Sequence, residues 1–260
     1  MSWTRIRGVF FRYWYVLKKG PQQLSDLFYW PLIDILLWGL TSVWIQSYNS
    51  DAKLSLVLLT GLVFSQVVWR GSVDVSVSIL QEFWHRNLVN LFSTPLRLSE
   101  WSVGVVLFSL CKLVVTVSFG ASMVFLLYGI NVFEIGWPAL PYIFSLLLFG
   151  WTLGFIAASV LVYWGHQIEA IAWMIGFIFT PFSAVFYPAD ILPAWAQTIA
   201  WALPTTYIFE AIRSILWTGS APFHYFLASL GLNVVYLSLS LMFFKWMFEK
   251  SREKGLGRLE

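Results

Sequence analysis

ALPYIFSLLLFGWTLGFIAASVLVY, residues 139–163, carries no charged side chain. As an α-helix it would extend about 37 Å, more than the roughly 30 Å hydrocarbon core of a bilayer. A helix apolar on every face has no side to turn to water, so lipid or surrounding protein must cover it. Apolar runs at 28–46, 54–79, 101–128, 170–187 and 223–244 bring the expected spans to six. Composition agrees: 59% of the residues are hydrophobic and 11% charged, where a soluble domain carries about 25% charged residues. The expected fold is therefore an all-α integral membrane protein, a single transmembrane domain over 1–260.

The segments between the runs carry the organisation. At the start, Trp3, Ile6, Phe10, Tyr13, Trp14 and Leu17 recur at helical spacing, with Arg5, Arg12 and Lys19 beside them. This predicts an amphipathic basic helix over 1–20, lying in the membrane surface and ended by Gly20-Pro21. The apolar run that begins near Phe28 is too long for a signal core and is read as a retained helix. A polar turn is expected at 48–51. Residues 188–219 form neither a span nor an ordinary loop. Pro188, Pro193 and Pro204 divide them into pieces too short to cross, as expected of a re-entrant helical hairpin sheltered by protein.

Basic residues set the orientation. With the amino terminus in the cytoplasm, twelve Lys and Arg fall on cytoplasmic segments, Arg258 in the tail among them, and only Lys53 and Arg213 fall outside. Both termini are then expected inside, in a multi-pass protein of the inner (cytoplasmic) membrane. The sixteen Trp and eleven Tyr suit water–lipid interfaces.

Several chemistries are excluded or disfavoured. The chain has no Gly-x-x-x-x-Gly-Lys-Ser/Thr phosphate loop, no His-Glu-x-x-His and no Gly-x-Ser-x-Gly. Cys111 is alone, so an intrachain disulfide and a Cys-based metal site are both impossible. His85, His166 and His224 lie in separate connecting segments, which argues against a shared metal. His166 and Glu169 share a loop, and a solvated loop is the simpler reading of them. Nothing marks nucleic acid as a partner.

The charges inside the spans are costly, about 2.5–3.5 kcal/mol each near a helix centre on insertion scales. Arg70 and Asp74 are four apart and can pair on one face. Asp34 lies in the inner third of the first span and Lys112 in the third. Such groups either line a hydrated path or form structural pairs, with Lys112 snorkelling to the surface. In 81–97, Trp84, Leu88, Leu91 and Phe92 form an apolar stripe, and Glu82, Arg86 and Asn90 a polar one. The expected element is a short amphipathic helix stopped at Pro95, resting on the membrane or docking a soluble partner.

Taken together, these parts resemble the membrane subunit of type-2 ABC exporters over nearly the whole chain. The resemblance is carried by Asn90-Leu91-Phe92-Ser93-Thr94-Pro95-Leu96. It is carried more specifically by Phe186-Tyr187-Pro188, Leu192-Pro193-Ala194-Trp195, Leu203-Pro204-Thr205-Thr206-Tyr207 and Glu210-Ala211-Ile212-Arg213. It implies a permease, not an enzyme, paired with a second copy as a homodimer and with two ATPase subunits. No cofactor is expected in this chain, since the partner ATPase would hold ATP and magnesium. By the same resemblance the 81–97 helix is a coupling helix using Glu82, Trp84, Arg86, Leu88, Leu91 and Pro95. The substrate, a drug, lipid-linked glycan or polysaccharide, would pass along the first, second and fifth spans. Glu210 and Arg213 can pair at i, i+3 to hold the re-entrant helix, or else meet substrate at the exit. The competing readings are an ATP-independent secondary transporter or channel and, more remotely, a membrane-embedded hydrolase.

Overall fold

The structure, a computed structural model, describes residues 1–48 and 52–255, with the side chains of Gln22, Ala52 and His166 left aside. The 49–51 part of the expected turn, Arg258 of the tail and the side chain of His166 lie outside the described residues.

The chain opens with α1 (Trp3–Lys19), whose apolar face buries Ile6, Val9, Tyr13 and Leu17. Lys18 and Lys19 occupy its last turn, where they complement the helix dipole. Then follow α2 (Pro21–Tyr48), α3 (Ala52–Trp84), α4 (Leu88–Ser93), α5 (Leu98–Tyr128) and α6 (Ala139–Trp164). The last four helices are α7 (Ala170–Ile178), α8 (Ala194–Ala202), α9 (Pro204–Thr218) and α10 (Phe223–Glu253). Among the described residues there is no strand. Helices α2, α3, α5, α6 and α10 are long and apolar enough to cross a membrane.

The expected span at 170–187 is not one helix. Regular α-helix stops at Ile178, and a 3-10 turn, Thr180–Phe182, follows. Pro181 is the cause: it has no N–H for the helical ladder, and its ring disfavours α geometry in the residue before it. The element expected over 81–97 is likewise split. Gln81 to Trp84 complete the last turn of α3, and α4 is a separate helix of six residues. Between them Arg86 takes φ 47°, a left-handed conformation that breaks the helix and re-aims the chain.

Helices α3 and α6 form the buried centre of the bundle, with α5 on one side and the largely exposed α2 and α10 at the periphery. Glycines let the two central helices touch along their backbones. A Cβ at Gly71 would stand 3.0 Å from the Cα of Gly150, and one at Gly154 2.7 Å from the carbonyl oxygen of Ser72. Where lipid replaces water, such close packing is a main source of helix association. Hydroxyl and amide groups join α6 to α10. The Ser145 and Ser229 hydroxyls meet at 2.7 Å, and Asn233 Nδ2 donates to Ser145 Oγ at 2.9 Å.

At the end of the bundle away from α1, α8 and α9 hold nine and fifteen residues, about 14 and 23 Å of helix. Pro204 occupies the first turn of α9, where its missing N–H costs nothing. Glu210 Oε1 accepts from the backbone N–H of Ala189 at 2.7 Å and pairs with Arg213 at 2.8 Å. Arg213 also donates to the carbonyl of Ala184 at 2.8 Å. Ala184 has φ 54°, so this pair clamps a strained turn, in line with the structural role of an i, i+3 pair. Pro188 and Pro193 are both extended and bracket the 3-10 turn Ala189–Ile191.

Candidate functional site

A cleft runs between α2, α3 and α7. Its portion farther from α1 is a cavity of about 580 Å³ lined by Trp30, Trp38, Trp69, Trp173, Phe177, Phe186, Asp34 and Gln66, among others. The portion nearer α1 is a cavity of about 830 Å³ that includes Asp74, Lys112, Gln81, Trp84 and His85. The two share Asp26, Trp30 and Trp173. Aromatic contacts fix the walls: Trp69 lies 4.1 Å from Phe177, and Trp38 stacks on Phe186 at 4.2 Å. Gly176 lets α7 come up against the Trp69 ring, since a Cβ there would stand 2.9 Å from it.

Four charges from three helices meet beside this cleft. Arg70, with no solvent exposure, donates to Asp26 Oδ2 at 2.9 Å and to the Asp26 carbonyl at 3.0 Å. It also stands 3.9 Å from Asp74, the i, i+4 partner expected from spacing. The nearer partner of Asp74 is Lys112, at 2.5 Å. Lys112 therefore does not snorkel; α5 directs it inward, where it ties α5 to α3. The quartet is neutral in sum, as burial demands. Asp26 was not foreseen, because it precedes the apolar run and looks like part of a polar lead-in. Asp34 stands apart, its Oδ2 accepting from Gln66 at 3.0 Å.

The end of the bundle that carries α1 has its own polar core. Glu82, expected on an exposed coupling face, is buried. It accepts from Arg12 Nε at 2.9 Å and Nη2 at 2.6 Å, from Tyr13 OH at 3.0 Å and from Asn87 Nδ2 at 2.9 Å. Trp101 Nε1 donates to the same Tyr13 hydroxyl at 2.9 Å. Burial, and then the adjacent Glu82 charge, push the Tyr13 phenol well above its ordinary value, so it stays a donor. Arg5 pairs with the buried Glu100 at 3.2 Å. The basic stripe of α1 thus turns partly inward: Arg5 and Arg12 meet acids on other helices, while Lys19 is exposed.

The remaining coupling candidates divide. Leu88 is fully buried and Leu91 half-buried. Phe92 packs edge-on against Phe248 of α10 at 4.6 Å. Trp84, Arg86, Asn90 and Pro95 are exposed. Trp84 Nε1 donates to Glu169 Oε2 at 3.1 Å, which joins the end of α3 to the loop before α7. No cluster that would hold a metal occurs among the described residues.

A family model described as ABC-2 type transporter matches residues 14–217, from within α1 through α9. The chain belongs to that family. It is the membrane subunit of a type-2 ABC transporter, a multi-pass permease. A comparison with curated proteins finds no match to the chain. Within this ABC-2 permease, α2, α3 and α7 include the segments expected to line the path. Asp34, Asp74 and Lys112 line this cleft, and Arg70 adjoins it through Asp26.

Proposed function

We propose that this permease works as a homodimer with two separate ATPase subunits and exports an amphipathic substrate along the α2–α3–α7 cleft. The observation that carries the reading is the pairing of that cleft with an exposed elbow on a rigid mount. The elbow runs from Trp84 through α4 to Pro95, and Glu82 fixes its root to α1 through Arg12 and Tyr13. A firmly mounted elbow turns closure of an attached ATPase pair into movement of α3, and so biases one arrangement of the cleft over another.

In this reading α1 lies at the cytoplasmic surface, both termini are inside, and the membrane is the cell's inner membrane. α7 and the turns after it make the fifth of six crossings. Segment 188–219 is re-entrant from the outside. ATP and magnesium belong to the partner subunit. The quartet of charges is a structural junction, which weakens the alternative of an ATP-independent transporter driven by those groups.

The test is reconstitution with the ATPase subunit and simultaneous measurement of transport and ATP hydrolysis. Arg86→Glu is expected to leave the permease folded and inserted while transport per ATP falls by about tenfold. Transport per ATP equal to that of the unaltered protein would remove the elbow from the coupling contact. Failure of any ATPase to co-purify would remove the ATP-driven reading itself.

A further inference from the structure

The acids that line the two portions of the cleft are not equivalent. Asp26 is matched by Arg70 at 2.9 Å and Asp74 by Lys112 at 2.5 Å. Asp34 has no ion pair with any cation among the described residues; its one side-chain partner is the Gln66 amide. A carboxylate in a membrane-embedded cavity is expensive unless paired or hydrated. Trp30, Trp38 and Trp69 line the same cavity, with Trp38 stacked on Phe186 and Trp69 meeting Phe177 at a tilt. Faces of Trp and Phe rings are negative and attract organic cations, Trp most strongly. Rings and carboxylate therefore ask for the same thing: a positive charge spread over an apolar body. A neutral glycan would stack on the rings and leave Asp34 unmatched, and an anion would be repelled by it. The cavity, about 580 Å³, has the size of a pocket for a drug-sized molecule.

We propose that the cavity between α2, α3 and α7 binds a hydrophobic monovalent organic cation, with Asp34 as counter-charge and Trp38 and Trp69 as ring contacts. This rests on reading the cleft as the substrate path and names the class of substrate it takes.

The experiment is equilibrium binding to the assembled transporter in uncharged maltoside micelles, with binding to protein-free micelles subtracted, so that no headgroup charge favours either probe. The probes are tetraphenylphosphonium and its anionic isostere tetraphenylborate, without ATP. The unaltered protein is expected to bind the cation and to bind the anion at least about tenfold more weakly. Asp34→Asn is expected to weaken cation binding by about tenfold or more, and Asp34→Glu to stay within about threefold. Equal binding of cation and anion, no binding of the cation, or an Asp34→Asn protein that binds as well as the unaltered one would overturn the proposal. The comparison of isosteres on the unaltered protein does not depend on any variant folding. ATPase co-purification is scored on the same sample: if the ATPase is present and the cation does not bind, the substrate class fails and the ATP-driven reading stands.

Discussion

Glu82 and Asp74 lie about two turns apart on α3, both buried and both facing a basic partner on another helix. They are finished differently. Glu82 has donors on both oxygens: Arg12 and Tyr13 on Oε1, Arg12 and Asn87 on Oε2. Asp74 has Lys112 and the more distant Arg70 on Oδ1, while its Oδ2 and the Nε of Arg70 have no hydrogen-bond partner among the described residues. A fully satisfied buried network fixes one geometry, whereas an incomplete one leaves donors and acceptors free to regroup. The root of the elbow is built to stay; the junction beside the cleft has spare bonding capacity for another arrangement.

Removing the junction should have the largest effect. Asp74→Ala leaves two buried cations facing one acid and is expected to destabilise the protein by about 3–5 kcal/mol. Thermal unfolding in detergent measures this. The double change Asp74→Leu with Lys112→Met takes out the pair together and should recover most of that loss. If the double variant is no more stable than Asp74→Ala alone, the two residues do not act as a pair.

Glu82→Ala comes next, at about 2–3 kcal/mol, because Arg12 keeps access to water. Its distinguishing sign is that α1 loosens first, read as faster amide exchange over 3–19 than over α6. Tyr13→Phe should cost about 1–2 kcal/mol, with a pH dependence of defined sign. The folded phenol titrates well above its ordinary value, so its contribution is fully present below about pH 10. It is lost as pH rises from there toward the folded value. The stability gap between the unaltered protein and Tyr13→Phe should stay flat from neutral pH to about pH 9 and narrow above about pH 10. The smallest effect on stability belongs to the exposed Trp84→Ala, within about 0.5 kcal/mol, and its loss should register in transport per ATP.

The same contrast shows what could be read in advance. Helix α1 was legible because its apolar face repeats locally, from Ile6 to Leu17. The acids that Arg5 and Arg12 reach are 95 and 70 residues away, and no local pattern announces them. Arg70 and Asp74 were legible as a pair because one helix holds both. Lys112 was visible as an intramembrane charge, but its partner lies on another helix. Asp26 gives no such signal, because it lies in the polar stretch before the apolar run. Two breaks inside expected elements had signals in plain view. Pro181 sits inside the 170–187 run, and length and hydropathy outweighed it. In 81–97 the stripe from Trp84 to Phe92 assumed unbroken helical phase, and the left-handed Arg86 breaks it. The part of that stripe beyond the break, Leu88, Leu91 and Phe92, does face the protein.

The glycine contacts between α3 and α6 have a mechanical corollary. Backbones that close, with Gly71 against Gly150 and Gly154 against Ser72, cannot slide past one another without collision, so the two helices form a keel. Spin labels placed one on each should report an unchanging separation throughout a transport cycle, while a label on α2 measured against either should swing.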